Sequence, residues 1–311
     1  MGRRATPDRR QPACRLVRFE TTDDVALAGL LYEPKRHTAG AGPALSPANR
    51  AIIWLHGGGG ASVYESRRTN LLARLFVERG IAFFPFNNRG SGVVRRAGSG
   101  LGGAAFERIR DCVADIDGAV RELWRRGYRD LTLAGHSTGA NKIAVYDHYK
   151  PRNRIRRYIL IAGGDDTGLL CAHLGKRGFG ATLTKARAMI RARRGDELVP
   201  RNIAPAMMSW RSFYDVANPN GDYNVFPFLE AMRAVRLSRR PLLQYIRAIR
   251  KPSLYVYGER DEYCFGEVPR CVAVLSQHVN ERAEVVVMRD ADHGFSGREE
   301  ELGALMADWI A

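Results

Sequence analysis

Leu131-Thr-Leu-Ala-Gly-His-Ser-Thr-Gly-Ala140 is an apolar run typical of a buried strand, and a helical pattern follows it directly. Within it, Gly135-His-Ser-Thr-Gly139 has the form G-x-S-x-G. In that motif a strand turns so sharply into a helix that only small residues fit two positions to either side of the serine. The turn lifts the hydroxyl of Ser137 clear of the sheet and places it at the positive end of the helix. The stretch therefore predicts a nucleophilic serine.

The length and composition of the chain favour one large α/β domain with an insertion over two separate domains. It has 311 residues, of which 45% are hydrophobic. The charged N-terminus has no apolar signal-peptide core, and nowhere do eighteen apolar residues follow one another. We therefore expect a cytoplasmic protein with no membrane span. The sequence gives no indication of the oligomeric state.

The five cysteines are odd in number, scattered, and form no C-x-x-C pair. This spacing indicates neither a disulfide framework nor a zinc site. We expect reduced thiols, no metal and no cofactor.

The chain is strongly basic, with a net charge of +16 that comes mostly from arginine. Such a charge could serve nucleic acid, a membrane surface or an acidic substrate. The arginines are spread through helical patterns, however, and no helix-turn-helix, zinc-finger or RNP signature is present. We expect a solvated basic surface and do not expect nucleic acid as a partner.

Strand-like and helix-like segments alternate along most of the chain, which predicts a mostly parallel sheet with a β-hairpin (15–32) at its edge. Residues 165–251 lack this alternation and carry sixteen basic against seven acidic residues. We predict a largely helical cap there. The predicted organisation is a basic disordered tail at 1–12, an α/β core at 13–164 and 252–311, and the cap insertion at 165–251.

A serine hydroxyl needs a base to remove its proton and a carboxylate to orient that base. Residues just beyond the carboxyl ends of parallel strands meet at one edge of the sheet. Asp261 and His293 each follow a later predicted strand, so we assign them as acid and base. Four other carboxylates compete for the role of the acid. They are Glu259 and Glu262 beside Asp261, and, less favoured, Asp165 and Asp166 after an earlier strand.

The other six histidines are less suited to act as the base. His56 and His136 belong to two glycine-rich turns, where we expect them to brace the backbone. The remaining four lie in loop or helix contexts typical of surface residues; they are His37, His148, His173 and His278.

A second glycine-rich turn, His56-Gly-Gly-Gly-Gly60, follows the buried strand at 51–55. We predict that the backbone N–H groups of Thr138 and of Gly58 or Gly59 stabilise an oxyanion, because glycine lets a carbonyl oxygen approach closely. A flexible loop or a phosphate cradle are the alternatives, but the turn lacks the Lys-Ser/Thr of a P-loop. A formal G-x-G-x-x-G is present at Gly98, Gly100 and Gly103, but loop residues intervene between the preceding strand and the helix that such glycines should join at once. The motif therefore does not predict a dinucleotide site.

Taken together, these motifs resemble the α/β-hydrolase superfamily over about residues 14–311. HGGGG, NRGSG, GHSTG, GERD and DADHGF stand where that superfamily has its oxyanion turn, structural Arg-Gly loop, nucleophile, acid and base. The GHSTG stretch with its preceding helix is also similar to a branch that includes fungal siderophore esterases. The resemblance implies an eight-stranded, mostly parallel sheet with an antiparallel second strand, no metal, and an acyl-enzyme route.

The expected activity is hydrolysis of a small-molecule carboxylic ester by Ser137, Asp261 and His293. Thioesters and amides could be cleaved by the same groups, and a non-catalytic binding protein could keep the same fold. The basic cap suggests an anionic ester or a siderophore-like polyester as substrate.

Overall fold

The computed structural model describes residues 12–34, 49–64, 66–97, 100–204 and 206–311. Within them, eight strands form one sheet and two further short strands pair as a separate ribbon. In chain order the strands are β1 (Cys14–Glu20), β2 (Ala26–Tyr32), β3 (Arg50–Leu55), β4 (Ala82–Asn87), β5 (Arg95–Ala97), β6 (Gly100–Gly102), β7 (Asp130–His136), β8 (Ile155–Ile161), β9 (Ser253–Gly258) and β10 (Ala283–Met288).

The large sheet has the strand order β1-β2-β4-β3-β7-β8-β9-β10. β2 pairs antiparallel with both β1 and β4, whereas every other neighbouring pair is parallel. The hairpin of β1 and β2 therefore lies at one edge, as the sequence predicts. The eight-stranded, mostly parallel sheet of the α/β-hydrolase fold is confirmed.

Helices cover both faces of the sheet. In chain order they are α1 (Arg67–Glu78), α2 (Cys112–Arg125), α3 (Thr138–Tyr149), α4 (Asp166–Arg191), α5 (Trp210–Ala217), α6 (Phe228–Ala231), α7 (Gln244–Ala248), α8 (Val268–Ser276) and α9 (Glu299–Ile310). Buried side chains of α1 and α9, such as Phe76 and Met306, fill one core. Those of α2, α3 and α8, such as Ile116 and Leu275, fill the core on the other face. Because β3 and β9 are buried along their whole middle, they contribute to both cores as fully apolar central strands do.

The segment 165–251 contains α4, α5, α6 and α7. Its buried aromatic residues, such as Phe179 and Phe213, belong to the same apolar cluster as α2 and α3. Gly175 adopts φ 67°, outside the helical region, so α4 is broken at that residue. Asp165 caps α4 by accepting the N–H of Gly168 (2.7 Å), and its second oxygen accepts the N–H of Leu229 at α6 (2.9 Å). A single carboxylate thus joins two helices of this segment.

Other predictions concern segments and sites outside the sheet. Of the basic tail predicted at 1–12, residues 1–11 lie outside the described residues. Gly100 belongs to β6, which pairs with β5 in a short ribbon, and this part of the G-x-G-x-x-G segment joins no strand to a helix. In the described ranges we find no helix long and apolar enough to cross a membrane. Nor do three or more His, Cys, Asp or Glu side chains converge there as metal ligands would.

Candidate active site

Ser137 lies at the junction of β7 and α3, in a backbone conformation that few residues other than glycine adopt (φ 57°, ψ −128°). A Cβ at Gly135 would come within 2.5 Å of Gly139, and one at Gly139 within 2.6 Å of the carbonyl oxygen of Leu55. The backbone N–H of Ser137 donates to Ile161 on β8 (2.8 Å), which holds the strained turn in place. The two glycines are therefore sterically required here, as the G-x-S-x-G pattern predicts.

The structure brings together the three side chains selected from the sequence. Nε2 of His293 lies 3.0 Å from Oγ of Ser137. Nδ1 of the same ring lies 2.9 and 3.0 Å from the two carboxylate oxygens of Asp261. Ser137, Asp261 and His293 follow β7, β9 and β10, whose carboxyl ends meet at one edge of the sheet. The chain of contacts can pass a proton from the serine to the imidazole while the carboxylate fixes the ring.

Asp261 is the carboxylate that reaches the imidazole, and its side chain is only 1% exposed. It also accepts the N–H of Tyr263 (3.0 Å), so it caps the short 3₁₀ helix Glu262–Cys264 as well. Glu262 instead accepts the backbone N–H of His293 (3.1 Å), and Glu259 accepts that of Asp290 (2.9 Å). These two rivals therefore support the loop that carries His293.

The backbone around His293 is held from several directions. Nε2–H of His136 donates to the carbonyl oxygen of His293 (2.7 Å), and the guanidinium of Arg68 donates to that of Gly294. Burial, with the nearby charge of Arg68, lowers the pKa of His136 to about 3, so the ring is neutral and has one N–H to give. The ring of Tyr263 packs on His293 with a centroid separation of 4.4 Å. Sequence reasoning identified His136 as a brace, but it missed Arg68 and Tyr263.

The glycine-rich turn after β3 approaches the turn at 135–139 that carries Ser137, here called the elbow, through its first two glycines. A Cβ at Gly57 would lie 3.1 Å from Cβ of Ser137, and one at Gly58 would lie 2.8 Å from Oγ1 of Thr138. A Cβ at Gly59, where φ is 71°, would have no atom within 4 Å. Among the described residues, no protein acceptor takes the backbone N–H of Thr138 or Gly58, so both can bind a ligand oxygen.

His56, at the start of this turn, is buried and donates Nδ1–H to the carbonyl oxygen of Gly57 (2.7 Å). Burial, together with the charge of Lys142, lowers its pKa to about 3, so His56 is a neutral brace. Lys142 itself lies under the elbow in α3 and forms a buried ion pair with Glu107 (2.5 Å).

The Arg-Gly loop after β4 is fixed by a buried charge. Arg89 binds Asp115, whose side chain is fully buried, and also Asp23 in the β1–β2 turn. The hydrogen bond from Arg89 lowers the pKa of Asp23 to about 2. Arg89 thus ties the hairpin and α2 together next to the site.

A cavity of about 840 Å³ opens beside Ser137 and His293. Core residues such as Trp54, Ser62 and Thr69 line one side of it. On the other side, the segment 165–251 contributes mostly apolar side chains, namely those of Leu169, Leu170, Met208, Val216 and Tyr223. His173, which the sequence placed among ordinary surface residues, is exposed but also borders the cavity.

The charged residues of the cavity differ from those that the sequence suggested. No lysine or arginine of the described residues in segment 165–251 lines it, so the high charge of that segment gives no argument for an anionic substrate. The lining includes one guanidinium, that of Arg68 from α1, and one carboxyl, that of Asp166 at the start of α4. Burial raises the pKa of Asp166 to about 6. Asp166 lines the cavity, but the carboxylate that hydrogen-bonds the imidazole of His293 is that of Asp261.

Comparison with known proteins gives one family and a set of similar folds. The sequence model of the Alpha/beta hydrolase family matches residues 52–305. No curated protein matches the sequence significantly. Among solved structures, the esterase Pf2001 of Pyrococcus furiosus is 17% identical, with a TM-score of 0.55 over 96% of this chain and 92% of that one. Est1E of Butyrivibrio proteoclasticus is 15% identical, with a TM-score of 0.57 over 95% and 97%. DcsB, solved with a substrate analogue, is 14% identical, with a TM-score of 0.66 over 96% and 98%.

Proposed function

Because the chain belongs to the alpha/beta hydrolase family, we propose that it is a serine hydrolase that cleaves carboxylic esters through an acyl-enzyme intermediate. One observation carries the proposal: His293 contacts Oγ of Ser137 through one ring nitrogen and Asp261 through the other. A neutral imidazole with Nδ1–H held by a carboxylate presents a free lone pair on Nε2 to the serine.

The first half of the reaction forms the acyl-enzyme. Ser137 attacks the ester carbonyl while His293 takes its proton, and the N–H groups of Thr138 and Gly58 bind the oxygen that becomes negative. Asp261 stabilises the imidazolium without taking its proton. His293 then protonates the leaving alcohol.

The second half releases the acid. A water molecule gives its proton to His293 and attacks the acyl carbonyl in the same oxyanion site, after which Ser137 leaves with the proton. Every group needed for both halves is contributed by this chain, and the neutral rings of His136 and His56 hold the two loops without competing for the proton.

Esters rank before thioesters and amides because the similar folds include proteins described as esterases, Pf2001 and Est1E. That likeness concerns the fold, so the leaving group is part of the proposal. The resemblance to the branch that includes fungal siderophore esterases and the cytoplasmic location likewise stay predictions.

A covalent probe tests the nucleophile directly. We expect a fluorophosphonate to label wild-type protein at Ser137 and to leave Ser137→Ala unlabelled, whereas the exposed control Ser276→Ala is labelled like wild type. Rates on p-nitrophenyl esters, acyl thioesters and aminoacyl arylamides then identify the leaving group. Folded wild-type protein that takes up no probe and cleaves no acyl substrate would instead support the non-catalytic binding protein.

A further inference from the structure

Arg68 is the one guanidinium among the described residues that line the cavity beside Ser137. It is the second residue of α1, and its neighbour Arg67 is exposed and lies outside the cavity. Arg68 donates to the carbonyl oxygen of Gly294, the residue after His293. Arg68 is far from His293 along the chain, yet its guanidinium contacts the residue next to His293.

Within the part of the chain that the structure describes, the positive charge of Arg68 has no close counter-charge. No carboxylate of the described residues lies within ion-pair distance of it, although Asp292 and Glu299 attract it from farther away. Its Nε atom is buried and has no acceptor among the described residues. A buried cation with an unsatisfied donor is costly, so an anionic ligand brought to the guanidinium from the cavity would be strongly favoured.

Two hydroxyl groups face the same cavity and have hydrogens to donate. Oγ of Ser62 accepts from Asn87 (3.1 Å) and from the N–H of Tyr64 (3.3 Å), so its acceptor capacity is used by the protein. Oγ of Ser66 accepts the N–H of Thr69 (3.3 Å). Each O–H can therefore point to a ligand, and the positive end of the twelve-residue helix α1 adds to the attraction for an anion.

We propose that Arg68, with Ser62 and Ser66, binds a carboxylate of the substrate, so that the preferred esters carry a negative charge a few bonds from the scissile carbonyl. The inference rests on the proposed esterase function and names its substrate class. A guanidinium suits this task because its planar donors match a carboxylate.

The carboxyl of Asp166 makes the two sides of the cavity electrostatically different. It lies at the start of α4, on the side of the apolar cap residues, and its weak contact to Asn141 (3.4 Å) leaves its charge free to repel a substrate carboxylate. The anionic end of the substrate therefore turns towards α1, and the uncharged end lies against Leu170 and Val216.

The experiment compares the charge preference of variants on matched esters. On the acyl side, ethyl hydrogen glutarate is compared with ethyl valerate; on the alcohol side, 4-acetoxybutanoate is compared with butyl acetate. The readout is the ratio of kcat/KM for the anionic ester to that for the neutral one. This ratio separates binding of the charge from positioning of His293, since a lost contact to Gly294 slows both esters alike.

In wild type we expect the ratio to exceed about 10 on one side of the ester, and Arg68→Gln to lower it about 10- to 100-fold. Arg68→Lys should retain part of it. Arg67→Gln removes the same charge from the exposed neighbour and should leave the ratio unchanged. Glutarate should also protect Ser137 from a fluorophosphonate in wild type but not in Arg68→Gln.

Two results would overturn the inference while the proposed function stands: equal rates on anionic and neutral esters on both sides in wild type, or equal losses on both in Arg68→Gln. If no ester is cleaved and Ser137 takes up no probe, the proposed function itself fails.

Discussion

The two walls of the cavity are built in different ways. On the core wall, Ser137 adopts a strained backbone that its hydrogen bond to Ile161 at the end of β8 holds in place. Gly60 in the turn at 56–60 accepts the N–H of Gly92 from the loop after β4. The other wall is formed by segment 165–251, where the sequence predicts a cap, and is here called the cap wall. On it, Leu170, Met208 and Val216 present apolar side chains, most of whose contacts are packing. The core wall therefore sets the chemistry and tolerates almost no change, whereas the cap wall sets shape and should tolerate substitution with graded effects.

Loss of the base should have the largest effect on the core wall. In His293→Ala no group remains to take the proton of Ser137, so we expect kcat to fall about 10⁴- to 10⁶-fold. His278→Ala, at the end of α8, is the control and should keep wild-type rates. Steady-state kinetics on p-nitrophenyl acetate measure both. A loss of less than about tenfold in His293→Ala would assign the base elsewhere.

Loss of the acid, Asp261, should cause the next-largest fall in kcat. Asp261→Asn keeps the size of the side chain but favours the wrong tautomer of His293, so we expect kcat to fall about 10³- to 10⁴-fold. Glu262→Gln can still accept the N–H of His293, and its loss should stay under about tenfold. Equal losses in the two variants would show that both carboxylates only support the loop.

The oxyanion turn distinguishes two adjacent glycines. In Gly58→Ala the new methyl group would lie 2.8 Å from Oγ1 of Thr138, which displaces the two N–H donors, and kcat should fall about 10²-fold. Gly59→Ala has open space but a positive φ, so it should cost about 1 kcal/mol of stability with little change in kcat. Thermal unfolding and kinetics on the same preparations separate the two effects. The opposite pattern would make Gly59 the donor.

On the cap side, Asp165 links α4 to α6, and burial raises its pKa to about 7. Between pH 4 and 7 the folded protein keeps a proton that the unfolded chain has lost, so the free energy of unfolding falls as pH rises through this range. In Asp165→Asn the side chain does not titrate, so the free energy of unfolding no longer falls for this reason. The difference in the free energy of unfolding between this variant and wild type should therefore shift in favour of the variant by about 3 kcal/mol from pH 4 to pH 8. The variant also lacks one carboxylate acceptor, which destabilises it at every pH.

Urea unfolding at pH 4, 6 and 8 measures the pH dependence of that difference. The exposed Asp196→Asn is the control, and its difference from wild type should stay constant. A constant difference for Asp165→Asn as well would mean that its carboxyl titrates alike in the folded and unfolded protein.

The smallest effect is expected from the apolar part of the cap wall. Leu170→Ala enlarges the cavity, so KM for short acyl chains should rise about tenfold and the preference should move to longer chains, with kcat within about threefold. Leu198→Ala, whose side chain is exposed, is the matched control. A large fall in kcat for Leu170→Ala would show that the two walls are not independent.

The core strands and the elbow could be predicted because their signals are local. A continuous apolar run such as 51–55 has to be buried on both faces, and G-x-S-x-G encodes its turn in five adjacent residues. Segment 165–251 could be predicted only as helical, since its helices pack on the core through scattered aromatic residues such as Phe213 and Phe226 without a regular period. The break at Gly175 had no signal of its own.

By itself the sequence determined the fold class, the position of Ser137, and the candidates Asp261 and His293, because periodicity and turn chemistry act over a few residues. Only the tertiary structure decided that Asp261 rather than Glu262 reaches the imidazole, that Gly58 rather than Gly59 meets Thr138, and that Arg68 enters the cavity. Arg68 and Gly294 are 226 positions apart, and such a contact depends on how strands and helices pack in space. No local pattern records that packing.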